Sequence, residues 1–137
     1  MKKIIIIFAC LIFFCSSTCF SAIEWKKINE GELRWDAVTT AGGANIKIEY
    51  DVFLTQNIAE DIVKIATTKE LKYKFILYAE GRYYAGVRAV RKLADGTNIE
   101  SEIAWSTDQE SVKDGKIFGI QYYEKLLKPN GLNCLGF

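Results

Sequence analysis

Apolar residues recur at every second position through the middle of the chain. Ile46, Ile48, Tyr50, Val52 and Leu54 alternate with Lys47, Glu49, Asp51 and Phe53 over Ile46–Leu54. Successive side chains of a strand point to opposite faces, so a period of two marks a strand with one face buried. The period returns elsewhere. Leu33, Trp35 and Ala37 share a face of Glu32–Val38, and Tyr73, Phe75 and Leu77 share a face of Lys72–Leu77. Tyr83, Ala85, Val87 and Ala89 do so in the long stretch Arg82–Leu93, as do Ile103 and Trp105 in Ile99–Ser106. Ile62–Thr68 is a short β-branched run. Asn57–Ile65 is the one stretch with helical character, and its Ile and Val lean toward strand. Turn signals divide these segments: two glycines in Thr39–Asn45, and Asp95-Gly96 further on. Short alternating strands between turns predict an all-β fold, an antiparallel sandwich of about seven strands.

Composition narrows the chemistry. The chain has 137 residues, enough for one domain, and half of them are hydrophobic, enough for a core. Eighteen basic residues stand against 17 acidic ones, without the basic excess of a nucleic-acid or membrane-surface binder. Histidine is absent, which excludes histidine triads, histidine metal sites and the usual pH switch.

The N-terminus has the layout of a secretory signal peptide. Met1-Lys2-Lys3 is positive, Ile4–Phe14 is an unbroken apolar run, and Cys15–Ala22 is small and polar except for Phe20. Cleavage after Ser21 places Cys19 and Ser21 at the positions the peptidase reads, and cleavage after Ala22 fits nearly as well. The run is short for a membrane span of about 20 residues. None of the three leader cysteines fits a lipid-attachment motif: Cys10 has Ile7 and Ala9 but lies too early, Cys15 follows the bulky Phe14, and Cys19 has Ser16 where leucine is wanted. The expected product is a secreted or periplasmic protein with no membrane contact after cleavage, beginning at residue 22. It carries 16 basic and 17 acidic residues and a single cysteine, Cys134, so no internal disulfide can form. A domain of about 115 residues can then rest on its core alone.

The order of these segments resembles a fibronectin type III domain over residues 22–107. Leu33-x-Trp35 followed by Asp36 is similar to that family's second strand, and Tyr50-x-Val52 to its third. Leu77 to Tyr83 has the family's leucine-to-tyrosine spacing at the corner between two sheets. Tyr83-x-Ala85-x-Val87-Arg88-Ala89-Val90 is similar to its sixth strand, and Ser101-Glu102 falls before its last. The resemblance implies that Leu33, Trp35, Tyr50, Leu77, Tyr83, Val87 and Ala89 are structural landmarks. It implies that the Tyr83 ring fills the core edge while its hydroxyl bonds backbone upstream. The chain departs from the family in carrying Ala79 and Glu80 at the corner, and in a first segment, Ile23–Ile28, without proline.

Residues 108–137 form a C-terminal extension of this pattern. Within it Lys116–Tyr123 alternates as an extra strand would, and Lys128-Pro129-Asn130-Gly131-Leu132 is turn-like. Such a tail either packs as an ordinary terminus or pairs with a sheet edge, in its own chain or a neighbour's.

No catalytic constellation emerges. Thr40–Ala44 lacks the Gly-Lys-Ser/Thr end of a phosphate loop, and no acidic spacing is that of a calcium loop. No cofactor or metal is implied, and no enzyme activity is expected. Lys69, Lys72, Lys74, Arg88 and Lys92 are expected to interleave with Glu49, Asp51, Glu100 and Glu102 on a solvated face. The contact candidates are the hairpin residues Asp95, Gly96, Thr97 and Asn98 and the tyrosines Tyr84, Tyr122 and Tyr123 outside the main inward set. Flat aromatic rings give large contact area at low entropy cost. Cys134 either pairs between chains or is buried as a small hydrophobe. These features predict a non-enzymatic exported binding module contacting a protein or glycan. The alternative is a structural subunit of a surface appendage or phage particle, a homo-oligomer joined through the tail or a sheet edge.

Overall fold

A computed structural model describes residues 22–39 and 46–136. Residues 1–21, where a leader is expected, and 40–45, where a glycine turn is expected, lie outside the described residues. Nine strand segments follow one another: β1 (Glu24–Lys27), β2 (Glu30–Arg34), β3 (Ile48–Thr55), β4 (Lys64–Thr68), β5 (Lys72–Ile76), β6 (Gly81–Lys92), β7 (Asn98–Glu100), β8 (Ala104–Trp105) and β9 (Phe118–Tyr122). A short 3₁₀ turn covers Lys113–Gly115. The chain is an all-β sandwich. Asn57–Ile65 holds no helix: Asn57 bridges Asp61 in a turn, and β4 begins at Lys64.

The larger sheet has the order β1-β9-β6-β3-β4, and β2 and β5 form a two-stranded sheet. Segments β7, β8 and β9 all pair with β6, antiparallel, at Val90–Lys92, Gly86–Val87 and Gly81–Tyr83 respectively. They are successive pieces of one interrupted strand along the β6 edge opposite β3. Counted this way, the sandwich has seven strand positions.

Two features differ from the antiparallel expectation. β1 runs parallel to β9, with Trp25 opposite Gly119, so the larger sheet is mixed. And β9, within the segment set apart as an extension, lies inside the sheet between β1 and β6. The physical reason is core burial. Ile120 is among the most completely buried side chains and packs with Leu33, Val52, Leu54, Phe75, Leu77 and Ala85. Beyond Tyr122 the chain has no further strand among the described residues.

The alternating sets supply that core. Tyr50, Val52 and Leu54 of β3 are buried, as are Leu33, Phe75, Leu77, Ala85 and Ala89, while Trp35, Tyr73 and Val87 are half-buried. The crossover from β5 to β6 is pinned at both ends. Leu77 N–H donates to Asn29 O at 2.6 Å, and the Tyr83 hydroxyl donates to Ala79 O at 2.7 Å.

The interrupted strand is held by two serines. Ser101 N–H donates to Ala89 O at 2.9 Å, and Ala89 N–H donates back to Ser101 Oγ at 2.9 Å. Ser106 repeats the arrangement with Ala85 at 2.8 and 3.1 Å. Ser106 O is thereby free to accept Phe118 N–H at 2.9 Å, which closes the excursion 107–117 and starts β9 on the same edge.

Candidate functional site

The outer face of the larger sheet carries a charge lattice built on β3 and β6. Directly opposed residues of an antiparallel pair share a face, and Asp51 stands opposite Arg88. Asp51 is only 4 % exposed. Its carboxylate accepts Arg88 Nη2 at 2.8 Å and Thr67 Oγ1 at 2.8 Å, with Lys64 Nζ at 3.8 Å. Burial alone would raise its pKa. The hydrogen bonds from Arg88 and Thr67 and the nearby positive charges outweigh burial and hold the carboxyl below its ordinary value. Arg88 also pairs with Glu100 at 3.1 Å, and Lys92 with Glu49 at 3.2 Å. Every charge in the lattice has a partner, so its role is to hold strands together.

Aromatic rings cover the rest of this face. Trp105 lies against Gly86, where a Cβ would meet its ring at 2.7 Å, and beside Phe53 with centroids 6.1 Å apart. Trp25 lies against Gly119 in the same way, with a virtual Cβ contact of 2.5 Å. Tyr84 packs against Trp25 in a tilted arrangement with centroids 5.8 Å apart, and the Arg82 guanidinium sits 4.6 Å from the Trp25 ring centroid.

The residues singled out from sequence do not converge. Asp95–Asn98 closes the β6–β7 hairpin: Gly96 takes φ +87°, and Leu93 N–H donates to Thr97 O at 2.8 Å. The Thr97 hydroxyl and N–H both bond the Asp95 carboxylate and hold its pKa below the ordinary value. The bonding capacity of that loop is spent on the turn itself. Tyr84 lies near the other end of β6, about 26 Å away at about 3.3 Å per residue. Tyr122 stands opposite Gly81 and packs against the core, so it offers no outward ring. Tyr123 is exposed, as is the Cys134 thiol.

Two other features stand out. The C-terminal segment 123–136 exposes Leu126 by 91 %, Leu127 by 86 %, Leu132 by 99 % and Leu135 by 73 %. Exposed leucines at this density are what a protein surface avoids unless something covers them. The second is a groove of about 510 Å³ along the lateral opening between β4 and β5. Leu54, Val63, Ile65, Phe75 and Ile76 line it, together with Gln56, Asn57 and Asp61. β4 and β5 each end their sheet there, so both present unpaired backbone to the opening. Neither feature had a signal in the alternation. The groove exists because β4 and β5 belong to different sheets, and the tail leucines follow no period.

Among the described residues no three of Asp, Glu, His and Cys gather to hold a metal, and no helix is long and apolar enough to cross a membrane. No protein-family model, curated protein or solved structure matches the chain.

Proposed function

We propose that this chain is a non-enzymatic, exported association module, and that it joins proteins through its C-terminal segment and a sheet edge. The observation that carries this reading is the set of four tail leucines, 73–99 % exposed, on a segment with no strand of its own. Burying one such side chain contributes about 1.5–3 kcal/mol, so a partner surface for this segment is strongly favoured. Export rests on the leader layout of residues 1–21. Kinship with fibronectin type III domains is supported by the Tyr83–Ala79 bond at the sheet crossover and by the all-β sandwich. The parallel placement of β1 sets this chain apart from the immunoglobulin constant-type arrangement, where the first strand joins the second.

Contact with a protein or glycan through loops and aromatics has one supporting observation, the Trp25–Tyr84 pair with Arg82 across it. Those groups already satisfy one another, and the hairpin 95–98 stands far from them. The tail is therefore the better-supported contact element.

Sedimentation velocity on the full chain, with and without reductant, tests the reading. Mass that rises with concentration is the expected result. A monomer over the whole range would overturn it. Loss of the larger species on reduction would assign the joint to Cys134 instead of the leucines.

A further inference from the structure

The tail leaves the sandwich at the β5–β6 crossover. Glu124 N–H donates to Glu80 Oε1 at 2.5 Å, which fixes where the tail leaves the sandwich. From there Lys125 and Leu127 flank a cleft with Lys27, Ile28 and Asn29, so the tail departs along the β1–β2 side. The largely apolar groove opens between β4 and β5. Within one chain the tail keeps these contacts and its own groove stays unfilled, so the groove is open to the tail of a second copy.

The two surfaces also match in charge. Leu126-Leu127 is bracketed by Lys125 and Lys128, while Asp61 is the one charged residue lining the groove, with Glu60 before it in sequence. Among the described residues, neither Asp61 nor the two lysines forms an ion pair within the chain. A leucine pair between lysines fits a largely apolar trough that carries one carboxylate, because burying the leucines brings opposite charges together.

We infer that Leu126 and Leu127 of one copy seat in the β4–β5 groove of the next, with Lys125 and Lys128 facing Asp61. This rests on the association reading above and names its site and its partner. Donor and receiver are different patches, so the contact is heterologous: each copy keeps one free tail and one free groove, and growth gives rings or filaments.

The test uses two full-length variants with exposed substitutions. Leu126→Asp/Leu127→Asp disables the donor, and Asp61→Lys/Ile76→Lys disables the receiver. Wild type is expected to gain mass over a series reaching about 1 mM, where weak contacts populate. Each variant alone is expected to stay monomeric, since each leucine is worth about tenfold in affinity. An equimolar mixture still holds one good tail and one good groove, so it should give a 1:1 heterodimer and nothing larger. Unchanged melting by circular dichroism confirms that the variants fold.

A mixture that stays monomeric beside an associating wild type overturns the inference. So does a donor variant that associates like wild type, which would leave the association reading standing with another joint. A wild type that is monomeric throughout removes both. Groove residues protected from hydrogen exchange by the tail at every concentration would show docking within one chain and would also overturn it.

Discussion

Ser106 and Ala85 exchange two hydrogen bonds, but only one of the two acceptors is a backbone carbonyl. Ser106 N–H donates to Ala85 O at 2.8 Å, while Ala85 N–H donates to Ser106 Oγ at 3.1 Å. The side chain substitutes for its own carbonyl, so the strand can leave β6 without orphaning a buried donor. Ser106→Ala removes that acceptor from a buried position and is expected to cost about 1–3 kcal/mol. Ser101→Ala should cost less, because Ser101 is exposed and its bond to Ala89 N–H is part-buried, whereas that of Ser106 to Ala85 is buried. Urea denaturation of the two variants measures the difference, and equal losses would refute the burial argument.

The Tyr83 hydroxyl gives a second prediction. Its bond to Ala79 O closes the crossover between the sheets. Tyr83→Phe keeps the ring and its packing, so it should cost about 1 kcal/mol. Hydrogen exchange should quicken at residues 77–81 and hardly at all in β3. A loss spread evenly over the sandwich would mean that the bond does not act locally.

Gly119 and Gly86 are predicted to resist even alanine. A Cβ at Gly119 would stand 2.5 Å from the Trp25 ring, and one at Gly86 would stand 2.7 Å from Trp105. Each substitution should cost about 1–3 kcal/mol through displacement of a packed ring. Tryptophan fluorescence should shift toward the spectrum of an exposed indole. In a Trp25→Ala background, Gly119→Ala should become nearly neutral, since the clash is gone. Additive losses in that double variant would place the cost elsewhere.

Asp51 sets an acid limit on stability. Its folded pKa is lowered, so its contribution is complete above the unfolded value of about 3.9 and is lost as pH falls through the folded value. The urea midpoint of wild type should therefore fall more steeply below about pH 4 than that of Asp51→Asn. Arg88→Ala should be the harsher change, at about 3 kcal/mol near neutral pH, because it leaves a buried carboxylate short of its main partner. Parallel acid limbs for wild type and Asp51→Asn would remove Asp51 from the explanation.

Much of the fold was legible in the alternation of β3, β5 and β6, because each buries one face against the other sheet. That rule fails at Asp51 and Phe53, which lie on the outward face of β3 and are nonetheless buried. Arg88, Thr67 and Trp105 cover them, and such covering comes from β4, β6 and β8, not from local periodicity. The last strand was anticipated as continuous from Ile99 to Ser106. It breaks after Glu100 and again after Trp105, where serines replace ladder carbonyls, and two serines among many carry no such message in a sequence. Tyr122 and Tyr84 were candidates for contact because they fell outside the main inward set. Register places Tyr122 against the core and Tyr84 beneath Trp25. Register across distant strands is what a single sequence leaves open.

The parallel seat of β1 on β9 orders events in time. Trp25 meets Gly119 across 93 intervening positions, and β1 has no other strand partner among the described residues. During synthesis the first strand must wait, unpaired, until nearly the last strand has left the ribosome. Closing that loop carries an entropic cost that earlier pairings of β3 with β4 and β6 do not share. The β1 edge of the larger sheet is thus the last pairing that the order of the chain allows, since it needs β9 in place first.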